Sequence, residues 1–131
     1  MSKILIVEDS ETDEAILLSL LSSYGTCHTI DSADGALRLL EQSFREGKPY
    51  RIVVIDLLLK DGDGLPVLAK LREMEAGTPS HERAKVLMVS GMSDATVVMN
   101  AKNLGCDAFI RKPIAKEVVL SELQSLLGES D

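Results

Sequence analysis

The chain has 131 residues, long enough for one domain with a single good core. It carries 21 acidic against 14 basic residues, a net charge of −7. That balance argues against nucleic acid and anionic membrane surfaces as direct partners, since both select a basic face, and an apolar fraction of 45% argues against a disordered chain.

Ile4-Leu5-Ile6-Val7 is an aliphatic run without alternation, the pattern of a strand covered on both faces. Glu8-Asp9-Ser10 follows it. Good helix formers from Ala15 to Leu21 predict a first helix that stops near Gly25. Thr26 to Ile30 predicts a second strand, polar enough to sit at a sheet edge. Asp31-Ser32 offers a cap to a helix in which Ala36, Leu37, Leu40 and Phe44 recur at helical spacing. Ile52 to Asp56 predicts the third strand. Seven of the eight residues from Ile52 to Leu59 are aliphatic, and the exception is Asp56.

Leu65, Leu68, Leu71 and Met74 keep the spacing of one helix face. Ala76 to Arg83 is a polar loop. Val86 to Ser90 predicts the fourth strand. Ser93 or Asp94 can cap a helix carrying Val97, Val98, Ala101 and Leu104, which Gly105 stops. Ala108-Phe109-Ile110 is the fifth strand, ended by Lys112-Pro113, and Val119, Leu120, Leu123, Leu126 and Leu127 line the last helix. Strict alternation of five strands with five helices means parallel strands joined by right-handed crossovers.

No apolar run approaches the length of a membrane span, and Met1 to Val7 is too short for an export signal. Cys27 and Cys106 lack CxxC or Cys-His spacing and read as reduced thiols of a cytoplasmic protein. His28 and His81 are equally isolated, whereas metal sites and catalytic bases need clustered partners.

Asp56 carries the sharpest signal. An ionised carboxylate inside an apolar core costs several kcal/mol, but the end of a strand opens to solvent. In open α/β sheets ligands bind in the crevice beyond the carboxyl ends of the strands. Asp56 therefore reads either as a reactive group at that crevice or as the cap of the Gly62-Asp63-Gly64 turn. The same rim collects Glu8-Asp9, Ser90-Gly91 and Lys112-Pro113. Three carboxylates held together repel unless a cation joins them or a proton is taken up. Glu8, Asp9 and Asp56 make a candidate Mg²⁺ site, because Mg²⁺ takes one or two carboxylates plus water and a phosphate ligand. A lysine and a hydroxyl opposite them suit a phosphoryl group. Competing motifs fail: neither GxGxxG nor GxxxxGK[ST] follows the first strand, Leu65 and Pro66 break an EF-hand loop after Asp61, and no GxSxG elbow is present.

This set resembles the receiver domain of two-component response regulators. The resemblance spans nearly the whole chain and rests on Glu8-Asp9 after the first strand, Asp56 at the end of the third, Asp63-Gly64 opening the third helix, Ser90-Gly91 ending the fourth strand, and Lys112-Pro113 ending the fifth. It implies a (βα)5 flavodoxin-like, doubly wound parallel five-stranded sheet in the order 2-1-3-4-5, with residues 1–131 forming a stand-alone receiver. It implies that Asp56 is the phosphoacceptor, taking a phosphoryl group from a kinase histidine. Asp9, Asp56 and the Leu58 backbone carbonyl would hold Mg²⁺, with Glu8 helping through water. Ser90 would hydrogen-bond a phosphoryl oxygen, Lys112 would pair with its charge, and the Lys112-Pro113 bond would be cis. Ser90 and Phe109 would form the switch. The partners implied are a sensor histidine kinase or phosphotransfer protein and a downstream protein, in the cytoplasm, with no turnover beyond the chain's own phosphorylation and dephosphorylation.

Three departures accompany the resemblance. Lys60 stands where the family usually has Pro, so that turn is expected to be reshaped or more mobile. The switch aromatic is Phe109 rather than Tyr. The loop Ala76–Arg83 is a few residues long, as a surface insertion would be. Leu58 and Met92, two residues beyond Asp56 and Ser90, would flank the path of an attacking water and are poor at orienting it. Two other readings are a hydrolase of the haloacid dehalogenase type, which wants Asp-x-Asp after the first strand, and a receiver-like adaptor that works without phosphorylation. The intact Asp9, Asp56, Ser90 and Lys112 set argues against the adaptor.

Overall fold

Five strands form one parallel sheet in a computed structural model that describes residues 2–92 and 94–128. They are β1 (Lys3–Val7), β2 (Thr26–Ile30), β3 (Ile52–Asp56), β4 (Lys85–Ser90) and β5 (Ala108–Arg111). Their spatial order is β2-β1-β3-β4-β5, the expected 2-1-3-4-5. The helices are α1 (Glu11–Leu21), α2 (Ala33–Arg45), α3 (Leu65–Met74), α4 (Ala95–Asn103) and α5 (Lys116–Leu126). No helix among the described residues is long and apolar enough to cross a membrane.

The unbroken aliphatic runs are explained by two cores. Successive side chains of a strand point to opposite faces. Leu5, Val7, Val53, Ile55, Val86 and Met88 meet residues of α2, α3 and α4 on one face. Ile4, Ile6, Ile52, Val54, Leu87 and Val89 meet α1 and α5 on the other. Each buried Ile, Leu or Val contributes about 1.5–3 kcal/mol. The edge position expected for β2 also holds, since it pairs with β1 alone.

The helix starts follow side-chain caps. Ser10, Ser32 and Asp94 accept hydrogen bonds from Asp13 N, Gly35 N and Val97 N. Of the two predicted caps for α4, Asp94 serves and Ser93 lies outside the described residues. The first helix begins at Glu11 rather than Ala15, because the Ser10 cap admits a polar first turn that an apolar count overlooks. α4 ends at Asn103 with Leu104 as its cap, followed by Gly105 at φ 103°, a conformation that L side chains rarely adopt.

One element escaped the pattern. Leu58–Leu59 pairs antiparallel with Gly62–Asp63 as a two-residue ladder outside the main sheet. The aliphatic run hid this reversal, and Leu58 ends up 57% exposed. Gly64 then lies so close to the Asp56 backbone that a Cβ would collide with the Asp56 carbonyl oxygen. Lys60 does not free this turn. Its Nζ holds Asp31 at 2.7 Å, and the next residue, Asp61, accepts from Ala33 N at 2.8 Å and Asp34 N at 3.1 Å. The turn is fastened to the start of α2 by side chains where a proline ring would have stiffened it.

The loop Ala76–Arg83 contains one 3₁₀ turn, Ser80–Glu82, and Arg83 Nε donates to Thr78 O at 2.9 Å. Beneath it Arg72 binds four groups. It reaches Glu75 Oε1 at 2.6 Å, Ala84 O at 2.9 Å, Gly105 O at 2.8 and 3.0 Å, and Asp107 Oδ2 at 3.0 Å. Glu75 is buried, and its other oxygen accepts from Ala84 N at 2.6 Å. Removing one member of a buried ion pair strands the other. Arg72→Ala should therefore cost about 3 kcal/mol, read as a lower midpoint in urea unfolding at unchanged slope.

Candidate functional site

Strand register assembles the rim. Val7 pairs with Ile55, so Glu8 emerges beside Asp56. Asp56 pairs with Val89, one residue before Ser90. Ser90 pairs with Arg111, which places Lys112 just beyond it. The Lys112-Pro113 peptide bond is cis.

Asp56 is almost fully buried. Its Oδ1 accepts from Leu58 N at 3.1 Å and its Oδ2 from Lys112 Nζ at 3.0 Å. Lys112 Nζ also lies 3.2 Å from Glu8 Oε1 and 2.9 Å from Asp13 Oδ2. Burial works against the ammonium, but hydrogen bonds to Asp13 and Asp56 and the charges of Glu8 and Asp56 prevail, and Lys112 is held above its ordinary range. Ser90 is buried, and its Oγ accepts from Met92 N at 2.8 Å. Phe109 pairs in register with Met88 and is half-buried against the core on the α4 side.

Carboxylate oxygens of Glu8, Asp9 and Asp56 lie within 4.8 Å of one another. Glu8 bears the strain of that crowding. Burial, a hydrogen bond with Asp56 and the Asp56 charge push its carboxyl up to about 7, against partial relief from Ser10 N and Lys112. Its Oε1 is buried and accepts no well-aligned hydrogen bond, despite the nearby ammonium. A divalent cation would relieve both conditions, so the residues present fit one.

Asp13 went unnoticed in the sequence, although a signal was there. Ser10-Glu11-Thr12-Asp13 spells a capping box, in which the acidic residue turns back to the cap's own N–H. Glu8 Oε2 takes that N–H instead, at 3.1 Å, and Asp13 reaches across to Lys112.

The Response regulator receiver domain model matches residues 4–124. The transcriptional regulatory protein BasR of Escherichia coli is 33% identical over 98% of this chain, and TcrA of Mycobacterium tuberculosis is 31% identical over 95%. The chain spans about half the length of these relatives, 56% and 45%. Among solved structures, the CheX-CheY-BeF3-Mg²⁺ complex of Borrelia burgdorferi superposes with a TM-score of 0.79 at 23% identity, covering 95% of this chain and 88% of that one. The BeF3-activated DrrB receiver domain gives 0.76 at 21%, covering 98% and 99%. At such identities the structures show the fold.

The raised Glu8 carboxyl has a pH consequence. Its ordinary value is 4.5 and its folded value about 7, so the metal-free fold binds the extra proton. The stability this proton confers is complete below pH 4.5 and is lost as pH rises through about 7. Urea unfolding in chelator should show that loss, Mg²⁺ should offset it, and Glu8→Gln should flatten it.

Proposed function

The chain belongs to the response regulator receiver family, and on that premise we propose that Asp56 is its phosphoacceptor. The observation that carries this reading is the Lys112 ammonium 3.0 Å from the Asp56 carboxylate, at the end of the central strand and among further acids. An Asp56 oxygen attacks the phosphorus of a phosphohistidine on a sensor kinase or phosphotransfer protein. The O–P bond forms as the N–P bond breaks, and the imidazole leaves. Charge gathers on the phosphoryl oxygens during transfer. Lys112 and Ser90 offset it from one side. Asp9, Asp56 and the Leu58 carbonyl, with Glu8 through water, would hold Mg²⁺, which supplies further charge neutralisation when bound.

Glu8-Asp9-Ser10 after β1 lacks the Asp-x-Asp of a haloacid dehalogenase, and family membership speaks against that hydrolase as well. An adaptor that works without phosphorylation would not need the Lys112–Asp56 pair.

The reading extends to output. A phosphoryl group adds about −1.5 to −2 charge and three acceptors. Ser90 Oγ, now engaged by Met92 N, can turn to donate to one of them. Phe109 has no hydroxyl to keep paired and can pack further inward as α4 shifts. The face that would change carries Ala95, Val98 and Met99 beside Lys102 and Arg111, with Met99 61% exposed, and it suits a downstream protein.

Two outcomes test the proposal. Asp56→Asn should abolish labelling by a small phosphodonor with Mg²⁺, read by intact mass, and undiminished labelling would refute it. Leu58 and Met92 are both exposed and apolar beside the site, so neither orients water well. The phosphorylated protein should decay slowly, and Met92→Glu should change the rate. Decay within seconds would contradict this.

A further inference from the structure

Lys112 has three ammonium donors, and three carboxylates compete for them. Asp13 Oδ2 lies at 2.9 Å, Asp56 Oδ2 at 3.0 Å and Glu8 Oε2 at 3.3 Å. A phosphoryl group on Asp56 inherits the donor now given to Asp56 Oδ2, and its charge of about −1.5 to −2 draws a second, so one of the other two carboxylates must yield. Exposure decides which. The Glu8 side chain is 0% exposed, whereas that of Asp13 is 19% exposed. Glu8 is sealed from water and has no other place to turn, while Asp13 can turn to water at little cost. Asp13 is also absent from the group of acids whose oxygens come within 4.8 Å of one another, so its partner at this site is the lysine.

Resting on the phosphoacceptor reading, we propose that Asp13 is the exchangeable counter-ion of Lys112: it holds the ammonium while Asp56 is bare and competes with the phosphoryl oxygens once Asp56 is modified. Asp13 is a positioning residue, acting on the phosphoryl group only through Lys112. Its position in the first turn of α1 has a further effect. When Lys112 turns to the phosphoryl group, a carboxylate is released onto a helix start that already carries Glu11 and Glu14. Occupancy of Asp56 is thereby reported on α1 as well as on the α4 side.

The probe is beryllofluoride with Mg²⁺, which mimics a phosphoryl group on a carboxylate, followed by amide-resolved NMR titration. Asp13→Asn keeps the shape and removes the competing charge, and it should bind the probe about fivefold tighter, the scale of a partly exposed ion pair. Asp13→Glu keeps the charge and should stay near wild type. Equal or weaker binding by Asp13→Asn overturns the proposal, because a merely structural contact would weaken the site or leave it unchanged. A second reading needs no variant: in the wild-type protein the carboxyl ¹³C resonance of Asp13 should move when the probe binds, and an unmoved resonance also overturns it. Asp56→Asn separates the two levels. If it still binds the probe, the phosphoacceptor reading fails and takes this one with it. If it blocks binding while Asp13→Asn matches wild type, only the role of Asp13 fails.

Discussion

One ammonium group holds the rim together. Lys112 neutralises carboxylates from the ends of β1 and β3 and from the first turn of α1. Without it, Glu8 and Asp56 would face each other with burial penalising both charges. Even with it, Glu8 retains a proton to about pH 7. The site is thus left with unmet demand for positive charge, which a divalent cation can supply. The fold stores this frustration in one place and spends its two apolar cores on keeping the strands in register around it.

The fold was legible in the sequence because a doubly covered sheet writes itself as uninterrupted aliphatic runs. Ile4–Val7, Ile52–Ile55 and Val86–Val89 have no polar face to blur them. The candidate site was legible for the same reason: Glu8, Asp56 and Ser90 stand out because each ends such a run, and Lys112 because it stands with Pro113 just past the fifth strand. The signal failed where a polar residue did its work inside a helix. Asp13 sits in a polar first turn, where an acid is ordinary, and nothing local distinguishes a capping acid from one that reaches across to another strand. The ladder at Leu58–Leu59 was hidden by the opposite fault, apolar residues that continue a strand pattern after the strand has ended.

The turn after Asp56 shows how a departure from a family pattern can be compensated. The expectation was a turn reshaped or more mobile with Lys60 in place of proline. Proline restrains a turn by limiting its own backbone. Here the restraint comes from contacts instead, Lys60 on Asp31 and Asp61 on the first N–H groups of α2. Contacts of this kind are exposed and respond to salt, whereas a ring does not. The turn that carries Leu58 past Asp56 is therefore held in place by the neighbouring helix rather than by its own covalent geometry.

The Arg72 network at the far end of the sheet gives α4 a pivot. Two nitrogens of Arg72 grip the carbonyl of Gly105, immediately past the C-terminal end of α4, and the same guanidinium is locked to Glu75, Ala84 and Asp107. The N-terminal end of α4 has no comparable anchor among the described residues; it follows the Ser90–Met92 turn, held by the Asp94 cap within the helix itself. A rod about 13 Å long, pinned at one end, cannot slide. A displacement that began at the Ser90 end would move the exposed Met99 side more than Leu104. In such a motion α4 would be a lever with its fulcrum at the Arg72 end, across the sheet from Ser90.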